Sequence, residues 1–128
     1  MKVLRDRVAV VTGAASGIGR ALAVRFAAEG MAVVLADVEP GALAEAAGAL
    51  GATGARVLAV RTDVARQADV DALAAAAYDA FGAVHVLCNN AGVFVGGTVW
   101  EHAPADWEWV FGVNVFGIVH GLRSFVPR

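Results

Sequence analysis

The sequence is poor in the residues that carry acid–base chemistry and cross-links. Its 128 residues contain one tyrosine and one lysine, Tyr78 and Lys2, which stand far apart. Any chemistry that needs a tyrosine followed closely by a lysine is therefore missing from these residues. Cys88 is the only cysteine, which excludes an internal disulfide and is typical of a reducing compartment.

Charge and long apolar runs are also scarce. Charged residues make up 17% of the chain, the net charge is −2, and the two signs are interspersed. This predicts no nucleic-acid partner and no anionic membrane partner. The apolar run that begins at Val8 breaks at Thr12, too early for a signal peptide, and the longer charge-free stretches are interrupted by Asn, Gly and His. We therefore expect a cytoplasmic protein.

Short apolar runs alternate with alanine-rich helical segments along the chain. Strands are predicted at 8–11, 32–36, 57–60 and 84–88, and helices at 17–29, 40–50, 67–81 and about 105–125. Strands that are apolar throughout are buried on both faces, as in a parallel sheet covered by helices. We predict a single α/β domain over residues 1–128, a doubly wound, Rossmann-like parallel sheet with strand order 3-2-1-4 and helices on both faces.

The turn between the first strand and the first helix is rich in glycine, and residues 12–19 read TGAASGIG. Gly13 permits a backbone geometry that a Cβ would obstruct, Gly17 leaves room for a pyrophosphate, and Gly19 allows the helix to pack closely on the sheet. The helix N-terminus offers unpaired N–H groups to the phosphates. The turn therefore predicts dinucleotide binding, with a plain packing turn as the alternative. A phosphate loop of nucleotide triphosphatases is excluded because no glycine–lysine pair is present.

Asp37 ends the second predicted strand, where an acid can hydrogen-bond the adenosine ribose hydroxyls. A carboxylate at this position would repel a 2′-phosphate, and Val38 supplies no compensating positive charge. The sequence therefore favours NAD over NADP as the cofactor. The alternative is that Asp37 is a solvated loop acid.

Four motifs, in chain order, resemble those of the short-chain dehydrogenase/reductase family of the ordinary single-domain type. Residues 12–19 have its glycine spacing, and Asp63–Val64 after the third strand is similar to its adenine-contacting pair. Asn89–Gly92 after the fourth strand matches its Asn-Asn-Ala-Gly motif, and Asn114 matches the asparagine of its active-site helix. The resemblance covers essentially the whole chain.

The resemblance implies a role for each matching residue. The implied cofactor-binding residues are Gly13, Ser16, Gly17, Ile18 and Gly19 at the pyrophosphate, Asp37 at the adenine ribose, Asp63 and Val64 at the adenine, and Asn89, Ala91 and Gly92 at the nicotinamide ribose. Asn90 is expected to brace the sheet. Asn114 is the one implied catalytic residue, as the support of a water in a proton relay.

One departure from the family bears on activity. The family's catalytic serine and its Tyr-x-x-x-Lys pair lie beyond the helix that carries Asn114, whereas this sequence ends at Arg128. Tyr78 cannot substitute, because Gly82 stands four residues later. Loss of general acid–base catalysis alone costs about 10²- to 10⁴-fold in rate. We therefore expect the N-terminal, NAD-binding part of an oxidoreductase that acts on an alcohol or carbonyl substrate, inactive as this chain alone. The alternative is a non-catalytic NAD-binding or interaction module.

The remaining candidate residues are expected to be structural. His85, His102 and His120 share no metal-ligand spacing, so no metal site is predicted. The tryptophans near residues 100–109 are expected to pack, because no basic residue is interleaved with them as in a nucleic-acid stacking surface.

The last predicted helix is apolar on every side and is therefore expected to be buried on every side. The fourth strand would be an open sheet edge. Self-association through this helix or this edge is predicted.

Overall fold

The computed structural model describes residues 2–128, and its sheet has the predicted topology. All strand pairs are parallel, in the order β3-β2-β1-β4. The strands are β1 (Val8–Thr12), β2 (Ala32–Asp37), β3 (Val57–Arg61) and β4 (Val86–Cys88). Every residue of β1 is buried, as a continuously apolar strand in the middle of a covered sheet should be.

Helices cover both faces of the sheet. They are α1 (Gly17–Ala28), α2 (Pro40–Gly51), α3 (Gln67–Phe81), α4 (Pro104–Phe111) and α5 (Gly117–Phe125), with a π-helical segment (Gly112–Phe116) between the last two and a short 3₁₀ turn (Val99–Glu101). Alternate residues of β1 divide the core: Val11 faces α1 and α2, whereas Val10 faces α3. Both are fully buried, and burying a valine side chain contributes about 1.5–3 kcal/mol.

Two glycines end helices where the sequence predicts it. Gly30 follows α1 with φ +84°, and its N–H donates to the Ala27 carbonyl while the Met31 N–H donates to that of Phe26. Gly82 follows α3 with φ +76°. A left-handed residue at this position satisfies the last helical carbonyls without the strain that a Cβ would add.

The fourth strand begins at Val86 rather than at the predicted Val84. The backbone N–H of His85 donates to the Val8 carbonyl, but the Val8 N–H donates to His85 Nδ1, at 3.0 Å, rather than to a strand carbonyl. An imidazole nitrogen therefore replaces a backbone acceptor, and the regular ladder starts one residue later.

The last helix differs from the prediction in continuity and in burial. It is interrupted by the π-helical segment, and only its inner face is buried, through residues such as Val113 and Phe125. The prediction of burial on every side is wrong for this chain, because no other part of residues 2–128 covers the outer face. Its exposed large apolar residues are Trp107, Trp109, Phe111, Val115, Phe116, Ile118, Val119 and Leu122, and Val126 just after it is exposed as well.

The prediction that the tryptophans pack holds only in part. Trp107 stacks on Phe111 with ring centroids 6.1 Å apart, but both rings stay about half exposed. Trp100, on the 3₁₀ turn, is 83% exposed. No helix within residues 2–128 has the length and hydropathy needed to cross a bilayer.

Candidate functional site

A cleft of about 600 Å³ lies at the carboxyl ends of the strands. Its volume is in the range typical of ligand pockets, about 300–1,000 Å³, and its position is the one at which open α/β sheets bind ligands. Nine of the predicted cofactor-binding residues line it: Gly13, Ser16, Gly17, Ile18, Asp37, Asp63, Val64, Ala91 and Gly92. Residues far apart in the sequence are thus brought to one surface.

Gly17 and Gly19 of the turn are required to be glycine for different structural reasons. Gly17 has φ +54°, and a Cβ built there would meet no atom within 4 Å, so the space beside it is open. A Cβ at Gly19 would overlap the Gly13 carbonyl and lie 2.5 Å from Asn90 Nδ2. Gly19 is therefore required by packing under the turn, whereas Gly17 leaves its backbone accessible from the cleft.

The start of α1 is suited to an anion. The N-cap residue Ser16 makes no side-chain capping hydrogen bond, and the first N–H groups of any α-helix lack intrahelical acceptors. Gly17 and Ile18, the first residues of the helix, both line the cleft. These N–H groups and the positive end of the helix dipole can hold a pyrophosphate there.

Asp37 is bonded to the backbone on two sides. Its Oδ2 accepts the Ala15 N–H of the glycine turn at 3.0 Å, and its Oδ1 accepts the Glu39 N–H at the start of α2 at 3.0 Å. Each carboxylate oxygen keeps further lone pairs for ribose hydroxyls. The acid therefore positions the turn and remains able to bind a ligand.

The lining of the cleft carries negative charge. Asp37, Glu39 and Asp63 contribute carboxylates, and no lysine or arginine is present among the described residues that line it. Asp63 Oδ1 accepts the Ala65 N–H at 3.0 Å, which fixes the loop after β3. The electrostatic environment is therefore unfavourable to additional anions beyond those at the helix N-terminus.

Thr12 and Asn90 join the ends of β1 and β4. Asn90 Nδ2 donates to the Thr12 carbonyl at 3.0 Å, and Thr12 Oγ1 accepts the N–H groups of Asn90 and Ala91 at 3.1 Å. The same hydroxyl donates to the Cys88 carbonyl at 3.3 Å. The expectation that Asn90 braces the sheet is confirmed. The sequence does not by itself indicate this role for Thr12, although Thr12 stands at the end of the strand, directly before Gly13.

Asn114 lies in the π-helical segment and outside the lining of the cleft. Its Oδ1 accepts the Val93 N–H and its Nδ2 donates to the Val93 carbonyl, both at 2.8 Å. The side chain therefore fixes the segment after β4, as a neighbouring strand would. π-Helical segments within helices are frequent at functional sites.

Helix α5 packs against Val64, one of the residues that line the cleft. His120 Nδ1 lies 2.7 Å from the Val64 carbonyl, and a Cβ at Gly117 would be 2.8 Å from Val64 Cγ2. A Cβ at Gly121 would overlap the side-chain oxygen of Asn89, so the Asn89 side chain packs against α5, and Asn89 is not among the residues that line the cleft. The sequence did not predict the roles of Gly117, His120 and Gly121, because they depend on how closely the helix approaches.

The described residues outside the cleft offer fewer groups suited to catalysis or ligand binding. Burial raises the pKa of the Cys88 thiol above its usual value, so the thiol is a poor nucleophile. The described residues contain no group of three His, Cys, Asp or Glu side chains placed to hold a metal. A second hollow of about 450 Å³, between the ends of α1 and α2, is lined mainly by small and apolar residues.

The chain belongs to the short chain dehydrogenase family, whose model matches residues 7–128. Among curated relatives, it is 52% identical to a 1-deoxy-11-beta-hydroxypentalenate dehydrogenase of Streptomyces arenae, over 97% of this chain and 45% of that protein. It is also 40% identical to a meso-2,3-butanediol dehydrogenase of Serratia marcescens, over 96% of this chain and 48% of that protein.

Solved structures agree in fold. A short chain dehydrogenase/reductase from Burkholderia phymatum in complex with NAD matches with a TM-score of 0.98 and 57% identity, over 99% of this chain and 45% of that one. L-Sorbose reductase from Gluconobacter frateurii, complexed with NADPH and L-sorbose, matches with a TM-score of 0.93 and 39% identity, over 98% of this chain and 48% of that one. The chain thus spans about half the length of the relatives it matches.

Proposed function

We propose that this chain is the NAD-binding part of an oxidoreductase that interconverts an alcohol and a carbonyl compound. The observation that carries the proposal is the meeting of the glycine turn, the start of α1 and Asp37 at one cleft. Family membership and the dehydrogenases among its relatives support the same reaction class. Bound NAD supplies the hydride acceptor.

Each part of the cleft has a proposed task. The first N–H groups of α1 hold the pyrophosphate, Asp37 holds the adenine ribose, and the loop at Asp63–Val64 flanks the adenine. Ala91 and Gly92 border the nicotinamide ribose. Asn114 Oδ1, which accepts the Val93 N–H, retains a lone pair with which to support a water in the proton relay.

We propose NAD rather than NADP as the cofactor. The 2′-phosphate of NADP would stand near Asp37 and Glu39, and no cationic side chain lines the described cleft. Like charges at about 4 Å repel by at least about 1 kcal/mol even in water, and by more at a protein surface. The relatives do not decide this point, because one solved neighbour holds NAD and another holds NADPH.

Proton transfer requires groups that these 128 residues do not contain. The sequence has no Tyr-x-x-x-Lys, and its one tyrosine, Tyr78, lies in α3 and packs against Phe125. We therefore propose that this chain binds the cofactor without completing the reaction.

Titration with NADH tests the proposed function, because the nicotinamide fluoresces more strongly when bound out of water. We expect a saturable rise in emission at micromolar to sub-millimolar NADH and a much weaker response to NADPH. No binding below millimolar NADH would contradict the proposal. Preference for NADPH would contradict the choice of cofactor alone.

We further propose that the chain self-associates in the cytoplasm through the exposed outer face of α4 and α5 or through the open edge at β4. The single cysteine is consistent with that compartment. Light scattering at micromolar concentration should give a mass above that of one chain. If the helix face is the contact, Leu122→Glu should lower the mass, whereas Val24→Glu, at a similarly exposed position on α1, should not. An unchanged mass in Leu122→Glu would assign the contact to the β4 edge. A monomeric wild-type chain would contradict the proposal.

A further inference from the structure

One aromatic side chain lines the cleft among the described residues. Trp109 of α4 lines the cleft together with Asp63, Val64 and Ala65 of the loop that follows β3. Its side chain is 50% exposed, so it is not a core residue, although the sequence predicted that it packs. An exposed indole at the wall of a ligand cleft calls for a reason other than packing.

The direction in which Trp109 points follows from its neighbours on the helix. Residues three and four positions apart share one helix face, so Trp109 lies on the same face as Gly112 and Val113. Val113 is buried in the same core cluster as Val64. A Cβ built on Gly112 would be 3.5 Å from the Ala65 side chain. This face is therefore directed at the loop after β3, in agreement with the presence of Trp109 in the lining of the cleft.

The helix lies within ordinary van der Waals distance of the loop at Gly112, and Trp109 precedes this contact by three residues. The loop itself is held in place, because the Asp63 N–H donates to Asp69 Oδ2 at 2.9 Å and Asp63 Oδ1 accepts the Ala65 N–H.

We propose that Trp109 contacts the adenine ring of the cofactor and determines affinity for the adenine half of the dinucleotide. The inference rests on the proposed function, in which the loop at Asp63–Val64 flanks the adenine. An indole presents a broad apolar surface to a base and loses little conformational freedom on binding, and stacking between a base and an aromatic side chain is a substantial source of affinity. Asp37 fixes the ribose, and Trp109 covers the base.

The test compares Trp109→Ala, Trp109→Phe and Trp100→Ala by calorimetric titration with NAD⁺ and with AMP, which carries the adenine half alone. Trp100 is a matched control, because it is exposed and lies on the 3₁₀ turn away from the cleft lining. We expect Trp109→Ala to weaken both ligands by about tenfold. Trp109→Phe should retain most of the affinity, and Trp100→Ala should leave it unchanged. Far-UV circular dichroism establishes that each variant is folded.

A second measurement does not depend on truncating the side chain. The chain has three tryptophans, so Trp100→Phe with Trp107→Phe leaves Trp109 as the only one. AMP should change its emission, and an emission unaffected by saturating AMP would overturn the inference. Equal binding by the wild type and Trp109→Ala would overturn the inference alone. Failure of the wild type to bind NAD⁺ would overturn both the inference and the proposed function.

Discussion

Asp37 Oδ2 accepts the backbone N–H of Ala15 at 3.0 Å, which ties the end of β2 to the glycine turn that follows β1. The second oxygen accepts the Glu39 N–H at the start of α2. The acid that the sequence suggests for ribose binding therefore also shapes the glycine turn. We expect ligand binding and local stability to depend on the same carboxylate.

Replacing Asp37 should consequently affect both properties. Asp37→Ala leaves the Ala15 and Glu39 N–H groups without their acceptors, which should lower the free energy of unfolding by about 1–2 kcal/mol. It should also weaken NAD⁺ binding and reduce the preference for NAD⁺ over NADP⁺. Urea denaturation and calorimetric titration with both cofactors measure these effects. Glu45→Ala, an exposed acid of α2 in a loose 3.7 Å pair with Arg20, is the control. An unchanged ratio of the two affinities would contradict the role given to Asp37.

Substitutions at two glycines of the turn should affect cofactor binding and folding separately. Gly17→Ala places a methyl group in the open cleft and strains a residue with φ +54°, at a stability cost of about 1–2 kcal/mol. We expect the variant to remain folded and to lose most of its NAD⁺ affinity in the same calorimetric titration. Gly19→Ala should instead fail to fold stably, because its Cβ would overlap the Gly13 carbonyl.

Gly41→Ala in α2 is the matched control for these two variants. A Cβ there meets nothing within 4 Å, and alanine favours a helix. The substitution should leave binding unchanged and stability equal or slightly higher. Full NAD⁺ affinity in Gly17→Ala would show that the cofactor does not approach the turn.

Asn114 should control the order of the segment after β4. Asn114→Ala removes two hydrogen bonds to the Val93 backbone and should destabilise the chain by about 1–3 kcal/mol. Hydrogen exchange at the Val93 amide, which loses its acceptor, should accelerate more than exchange at the Val10 amide in the buried sheet. If the Val93 amide exchanged at the wild-type rate, the bonds to Asn114 would not hold this segment in solution.

The link between α3 and α5 should depend on pH. The Ser124 hydroxyl donates to Asp71 Oδ1 at 2.7 Å and, with Gln67 and nearby arginines, holds the pKa of Asp71 below its ordinary value of 3.8. Because the folded-state pKa is the lower one, the stabilisation is present above the unfolded-state value. It is lost as the pH falls through the folded-state value.

NMR titration of the Asp71 carboxyl checks this dependence. Ser124→Ala should move the pKa of Asp71 upward toward 3.8, since the hydroxyl is the largest of the lowering influences. Arg25→Ala, in an ion pair on α1, should not move it. An unaltered Asp71 titration in Ser124→Ala would contradict the assigned cause.

Local patterns in the sequence predict the sheet and most of the site. Continuous apolar runs indicate β1 and β2, and Gly82 marks the end of α3. Asp37 and four residues of the glycine turn line the cleft, namely Gly13, Ser16, Gly17 and Ile18. These features depend on short-range chemistry, so the sequence displays them directly.

Features that depend on close approach between distant segments could not be predicted. The π-helical segment, the bond from Val8 to His85 and the contact of Gly117 with Val64 arise from tertiary packing. Trp109 illustrates the same point, because an aromatic residue in an apolar helix is indistinguishable in sequence from one that packs. Its place in the cleft wall follows only from the position of the helix relative to β3.

Residue-resolved NMR titration of the chain with NAD⁺ tests the central claim most directly. We predict saturable shifts of the backbone amides at the glycine turn, at Asp37 and at the Asp63–Ala65 loop, with the amides of Gly54 and Ala55 at the second hollow unaffected. If saturating NAD⁺ caused no shifts, the claim that this cleft binds the dinucleotide would be contradicted. It would also be contradicted if the shifts were confined to the hollow between α1 and α2.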